Sequence, residues 1–176
     1  MKKILVVVDY QKDFVDGSLG FPEAVGLEEA IVQKIQSYRK GGFEVAFTFD
    51  THRENYLTTQ EGRNLPVPHC LKNTPGWELY GKVSPLCAGS DQRFEKETFG
   101  SLRLAEYLRD GGYDSVELCG VVSNICVVSN AVLAKAALPE AEIIVDAACT
   151  ASNDKAMNQK VLDVMRGLQI RILNET

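Results

Sequence analysis

Short apolar runs rich in β-branched residues recur along this chain, and most are followed by a stretch of helical period, a pattern that restricts the fold more than any single motif. Lys3–Val8, Glu44–Phe49, Val116–Leu118, Glu142–Val145 and Gln169–Ile172 read as strands. Between them, Leu27–Arg39 puts Ile31, Ile35 and Tyr38 on one face before Gly41-Gly42 stops it. Ser101–Asp110 is amphipathic and ends at Gly111-Gly112; an Ala/Val-rich helix runs to about Ala137, and another covers Asp154–Leu168. Strands alternating with helices build a parallel sheet covered on both faces, so a three-layer α/β/α fold is expected. At 176 residues, one domain over positions 1–176 accommodates it.

The charge balance excludes some partners. With a net charge of -5 there is no basic excess for nucleic acid. The apolar run after Met1-Lys-Lys stops at Asp9, too short for a signal h-region or a membrane span, so a cytoplasmic protein without a membrane partner is expected. The five cysteines are odd in number and include no CxxC, so reduced thiols are expected.

Chemistry-bearing residues gather at the ends of the strands, the crevice side of an open α/β sheet. Asp9 closes the first strand, and no glycine-rich loop follows it, which argues against a dinucleotide site; taken alone, Asp9 reads first as a cap or turn residue. Asp9, Gln11, Asp13 and Asp16 loosely resemble a calcium loop, but Phe14 stands where that turn requires glycine. Asp50-Thr-His52 closes the second strand. A segment without clear helix or strand follows, from Arg53 to about Arg93, carrying Glu61 and Pro66-Val-Pro-His69. Asp50, His52, Glu61 and His69 form either a mixed N/O metal site pinning that segment or a capping aspartate beside two unrelated histidines. Lys96, between Glu95 and Glu97, reads by itself as solvated. The run Val116–Asn130 leads from a strand into a helix, with Ser123 as N-cap and Cys126 in the first turn. There, free N–H groups and the helix dipole favour a thiolate nucleophile, although a buried structural cysteine fits the same residues.

Four ordered motifs bring these fragments together: Asp9-x-Gln-x-Asp-Phe14, Asp50-x-His52 with Pro-x-Pro-His69-Cys70, Lys96-x-x-Phe99, and Gly120-Val-Val-Ser-x-x-Cys126-Val. In this combination the chain resembles the isochorismatase-like cysteine hydrolases, and among them the nicotinamidases. The resemblance implies a six-stranded parallel sheet of Rossmann-like layering and a Cys126, Asp9, Lys96 triad that deamidates nicotinamide to nicotinate and ammonia through a thioester, a step of NAD salvage. It also implies a cis peptide at Val121-Val122, aiming the N–H groups of Val122 and Cys126 at an oxyanion. Many members carry a third histidine shortly after the D-x-H pair; here Asn55-Tyr-Leu stands there, and Glu61 is the implied replacement. The implied cofactor is a divalent metal on Asp50, His52, Glu61 and His69, zinc being expected and manganese or iron compatible with the same ligands. Phe14 and Phe99, with Leu65, are the candidate walls around the substrate ring, and core packing is the equal alternative for each. A related small-amide or carbamoyl hydrolase, and a non-catalytic binding protein on this scaffold, are the competing readings; a homo-oligomer stays open.

Overall fold

Six strands hydrogen-bond in the order β3-β2-β1-β4-β5-β6, all neighbours parallel, in a computed structural model that describes residues 1–175. They are β1 (Lys3–Val8), β2 (Glu44–Asp50), β3 (Gln92–Lys96), β4 (Ser115–Val121), β5 (Glu142–Ala151) and β6 (Arg171–Leu173). The helices are α1 (Lys12–Val15), α2 (Pro22–Val25), α3 (Glu28–Lys40), α4 (Gln60–Asn64), α5 (Leu102–Gly111), α6 (Val128–Ala137) and α7 (Lys155–Gly167). β1 is buried on both sides, as its unbroken apolar sequence requires: Leu5 and Val7 pack with Ile31 and Ile35 of α3, while Ile4, Val6 and Val8 pack with Leu104 of α5, Ala131 of α6 and Leu162 of α7.

The chain fills one half of the sheet outward from β1, through β2 to β3, and the other half from β4 to β6. The order reverses between β1 and β4, so a crevice opens beyond their carboxyl ends. Gly120 makes that junction close: its φ is 104°, and a Cβ there would lie 2.1 Å from the carbonyl oxygen of Val8. Asp9 and the turn bearing Cys126 therefore emerge side by side.

Two expectations need correction. The segment from Arg53 to Arg93 is not without regular structure. It holds α4 and 3-10 turns at Tyr56–Thr58, Pro75–Trp77 and Gly81–Leu86, all shorter than the window in which periodicity shows, and β3 begins at Gln92. The last strand begins at Arg171, because Gln169 takes a positive φ of 61° as the chain leaves α7.

Candidate active site

Lys96 gathers the site. As the last residue of β3, beside Asp50 in the sheet register, it is buried, because strand alternation turns Phe94 and Lys96 inward and Glu95 outward. The solvated lysine read from its neighbours is thus not what the strand produces. Its Nζ lies 2.5 Å from Asp9 Oδ2, 3.4 Å from Asp50 Oδ1 and 3.6 Å from Cys126 Sγ, and donates to the carbonyl of Thr98 at 3.1 Å. Asp9 is fully buried, at a positive φ of 44° just past β1. Its Oδ1 accepts from the Thr48 hydroxyl at 2.6 Å, which leaves Oδ2 to the ammonium.

The electrostatics follow from burial opposed by this cation. Loss of solvent raises the Asp9 pKa against the pull of Lys96, and Asp50 adds to the rise. Burial likewise pushes the Cys126 thiol well above the ordinary cysteine value, with Lys96 opposing and Asp9 and Asp50 contributing. Burial also works against the Lys96 ammonium, but Asp9, Cys126 and Asp50 more than offset it and hold the lysine charged. Burial thus weighs against the thiolate that the helix start favours, and Lys96 is the group that works for it.

That helix start also differs from expectation. Ser123 does not cap it: its hydroxyl donates to Asn158 Oδ1 at 2.6 Å, and Val122 takes the cap position before one π-helical turn, Ser123–Val127. The Val121-Val122 peptide is cis, and the Val122 carbonyl accepts from the N–H groups of Ile125 and Val127 at 3.1 and 3.2 Å. Asn130, one turn on, donates to the carbonyls of Cys126 at 2.8 Å and Phe99 at 3.1 Å, while its Oδ1 receives the N–H of Ser101. The nucleophile turn and the Phe99 wall are thereby joined.

The four candidate ligands converge too. Asp50 Oδ2 lies 3.0 Å from His52 Nε2 and 3.3 Å from His69 Nε2, and Glu61 Oε1 lies 3.6 Å from each Nε2. Four donors around a tetrahedral ion at roughly 2.0 to 2.1 Å stand about 3.4 Å apart, so this set fits a metal of that size. The His69 Nδ1 lies 2.8 Å from the carbonyl of Val67, the bond that keeps a proton on Nδ1 and turns Nε2 to the cluster, where it donates to Asp50 when protonated and would offer its lone pair to a metal when not. Burial raises Asp50, but hydrogen bonds from His52 and His69 and the Lys96 charge hold it well below the usual carboxylate range; burial and the Asp50 charge raise Glu61.

Hydrogen bonds tie the His69 segment to the end of β2 and to α1. His52 N–H donates to the carbonyl of Cys70 and Lys72 N–H to that of His52, Cys70 N–H reaches Asp13 Oδ2 at 2.7 Å, and Trp77 Nε1 donates to Thr51 Oγ1 at 2.9 Å. Gln11 fastens the end of β2 to this segment: it accepts from Asp50 N–H and donates to the carbonyls of Asp50 and Trp77. The roles of Gln11, Thr48 and Asn130 were not read from the sequence, although Gln11 and Asp13 stand inside a motif that was.

A cavity of about 220 Å³ opens over Cys126 and the ligand cluster. Phe14, Leu65 and Phe99 all line it, together with Asp50, Glu61, His69, Val122 and Cys126; Leu19, Phe21, Ile125 and Asn153 complete the wall. Phe14 stands 5.4 Å from the His69 ring, whereas Leu65 and Phe99 are exposed at the rim.

The profile of the isochorismatase domain matches residues 3–174. An isochorismatase family protein of Bacillus subtilis, PncA, is 35% identical over 144 residues, 75% of this chain and 78% of the relative. The crystal structure of nicotinamidase/pyrazinamidase PncA from Bacillus subtilis superposes with a TM-score of 0.88 at 29% identity, covering 99% of this chain and 100% of the other. A pyrazinamidase of Pyrococcus horikoshii, solved in complex with zinc, gives a TM-score of 0.86 at 26% identity, covering 99% and 100%.

Proposed function

This chain belongs to the isochorismatase family, and on that footing we propose that it is a cysteine amidohydrolase that deamidates nicotinamide to nicotinate and ammonia, with a divalent metal at Asp50, His52, Glu61 and His69. The observation that carries the reading is the position of one ammonium, Lys96, within reach of both Asp9 and Cys126, with Cys126 in the wall of a ring-sized apolar cavity that three of the four candidate ligands, Asp50, Glu61 and His69, also line. The relatives named as nicotinamidases and pyrazinamidases support the substrate class.

The charge arrangement explains how a buried thiol reacts. As Cys126 Sγ attacks the amide carbon, its proton passes to Asp9, so an ammonium-carboxylate pair becomes an ammonium-thiolate pair with no change in net charge inside the dry site. The carbonyl oxygen, negative in the tetrahedral adduct, is received by the N–H groups of Val122 and Cys126. Asp9 returns the proton to the departing nitrogen, ammonia leaves, and a thioester to Cys126 remains. Water gives a proton to the same carboxylate, attacks the thioester and releases nicotinate; Asp9 then reprotonates the sulfur. Phe14 and Phe99 hold the ring, and Leu65 closes the rim. When bound, the metal supplies a Lewis-acid anchor for the pyridine nitrogen, directly or through water; zinc is the ion we assign, in keeping with the zinc-bound relative.

Ammonia release from nicotinamide, pyrazinamide, biuret and an N-carbamoyl amino acid tests the reading. Nicotinamide and pyrazinamide should be hydrolysed. Turnover of the carbamoyl compounds alone would reassign the substrate, and silence toward all four by folded, metal-loaded protein would leave a binding protein.

A further inference from the structure

We propose that Tyr56 is a positioning residue that holds the metal ligands and the Leu65 wall of the cavity as one unit, an inference that rests on the metal-assisted reading above. Tyr56 is 1% exposed, yet it belongs to neither apolar layer that sandwiches the sheet. What its ring packs against is the two histidines. Its centroid is 4.7 Å from that of His52 and 5.0 Å from that of His69, both edge-to-face, while the imidazoles stand 4.7 Å apart at 74°. Three rings thus brace one another, and the Nε2 atom of each imidazole also faces the carboxylates of Asp50 and Glu61.

The same residue fixes the fourth ligand. Glu61 rides on α4, a helix of five residues with little stability of its own, and both ends of that helix are attached to Tyr56. At the start, the Tyr56 carbonyl accepts from the hydroxyl of Thr59 at 2.7 Å, and that hydroxyl caps the helix by accepting from Gly62 N–H at 3.0 Å. Gly62 is needed because a Cβ there would lie 2.0 Å from the Tyr56 carbonyl oxygen. At the end, the Tyr56 hydroxyl donates to the carbonyl of Leu65 at 2.8 Å, while Leu65 N–H donates to that of Glu61. Ring, carbonyl and hydroxyl therefore set three different things: the imidazole planes, the Glu61 helix and the rim of the substrate cavity.

The parts separate experimentally. Zinc affinity is measured for wild type, Tyr56→Phe and Tyr56→Leu by competition with a chromophoric chelator, and KM and kcat for nicotinamide are measured on the zinc-saturated proteins. Tyr56→Phe should keep zinc affinity, since the ring remains, but raise KM several-fold at nearly unchanged kcat because Leu65 loses its tether. Tyr56→Leu should weaken zinc roughly 10- to 100-fold, the usual cost of losing an outer-shell partner. Rescue of zinc affinity by phenylalanine but not by leucine is the signature that generic core packing would not give. If Tyr56→Leu does not fold, Gly62→Ala, which displaces the Tyr56 carbonyl, should weaken zinc in its place. Folded Tyr56→Leu or Gly62→Ala protein that binds zinc like wild type, or a Tyr56→Phe protein unchanged in KM, overturns the proposal. A wild type that binds no zinc overturns the metal reading and this inference together. One that binds zinc but releases no ammonia removes only the assigned substrate, and the zinc titration then decides the role of Tyr56 alone.

Discussion

Lys96 Nζ lies 2.5 Å from Asp9 Oδ2, both side chains almost wholly out of water, and while Lys96 also has Asp50 Oδ1 at 3.4 Å, the ammonium is the cation paired with Asp9. Removing one member of such a pair strands the survivor, at a cost of roughly 3 to 5 kcal/mol if it stays ionised. Lys96→Ala should escape part of that cost because Asp9 can take up a proton, which also disables it as a base. The expected outcome is loss of turnover with a stability deficit that grows from pH 5 to pH 8, read by denaturant unfolding at several pH values. A deficit independent of pH would mean that Asp9 does not titrate with its partner.

Asp9→Asn preserves shape and the hydroxyl contact from Thr48 but cannot accept a proton. We expect kcat to fall by about 10²- to 10⁴-fold, the range of a positioned general base, with zinc content unchanged. Cys126→Ala should drop turnover to background in a protein that still folds and still holds metal. Near-normal activity of either variant would end that residue's assignment.

Much of this arrangement was legible in the chain, and the exceptions have physical causes. β1, β2 and β4 are apolar runs buried on both faces, so composition alone marks them. β3 is an edge strand reading Gln-Arg-Phe-Glu-Lys in which only Phe94 and Lys96 face inward; a polar segment with two inward residues carries almost no periodic signal. Cys126 could be located from the strand-turn-helix pattern, but its protonation could not. That depends on how completely the fold excludes water, and burial is the largest influence on the Cys126 thiol, raising it against the pull of Lys96.

The pH profile follows from Asp9. Its folded pKa is raised by burial and by Asp50, so the carboxylate needed for catalysis is lost at a higher pH than an ordinary aspartate would allow. The acid limb of kcat/KM should therefore lie above the usual aspartate value and move with Asp9. The stability sign is opposite to that of a salt-bridged carboxylate of low pKa: between the unfolded and folded pKa values the native state holds the extra proton, so this group's contribution is present at low pH and lost as pH rises through the folded value. Asp9→Asn should accordingly flatten that part of the stability curve. An acid limb at the ordinary aspartate value would contradict the assignment.

Metal and nucleophile come from different stretches of chain, yet the fold lets them touch at one edge, where Asp50 Oδ1 stands 3.4 Å from Lys96 Nζ. That contact sorts the ligand variants. Glu61 reaches the two histidines, so Glu61→Ala should lower metal affinity by more than roughly 100-fold and weaken nicotinamide binding while iodoacetamide still alkylates Cys126 near the wild-type rate. Lys96→Ala should do the reverse, keeping metal while alkylation slows, because the ammonium is what opposes burial at the sulfur. Asp50→Ala should disturb both, losing the metal and also removing a negative neighbour that raises the Cys126 thiol, so apo Asp50→Ala protein should alkylate faster than apo wild type. Three variants, each assayed for bound zinc and for the alkylation rate of Cys126 by peptide mass analysis, give three distinct patterns. If chelation slows the alkylation of wild-type Cys126 and Asp50→Ala protein is equally slow, the uncovered Asp50 charge is not the cause, the metal acts on the sulfur itself, and a thiolate supported by Lys96 is the wrong description of the nucleophile.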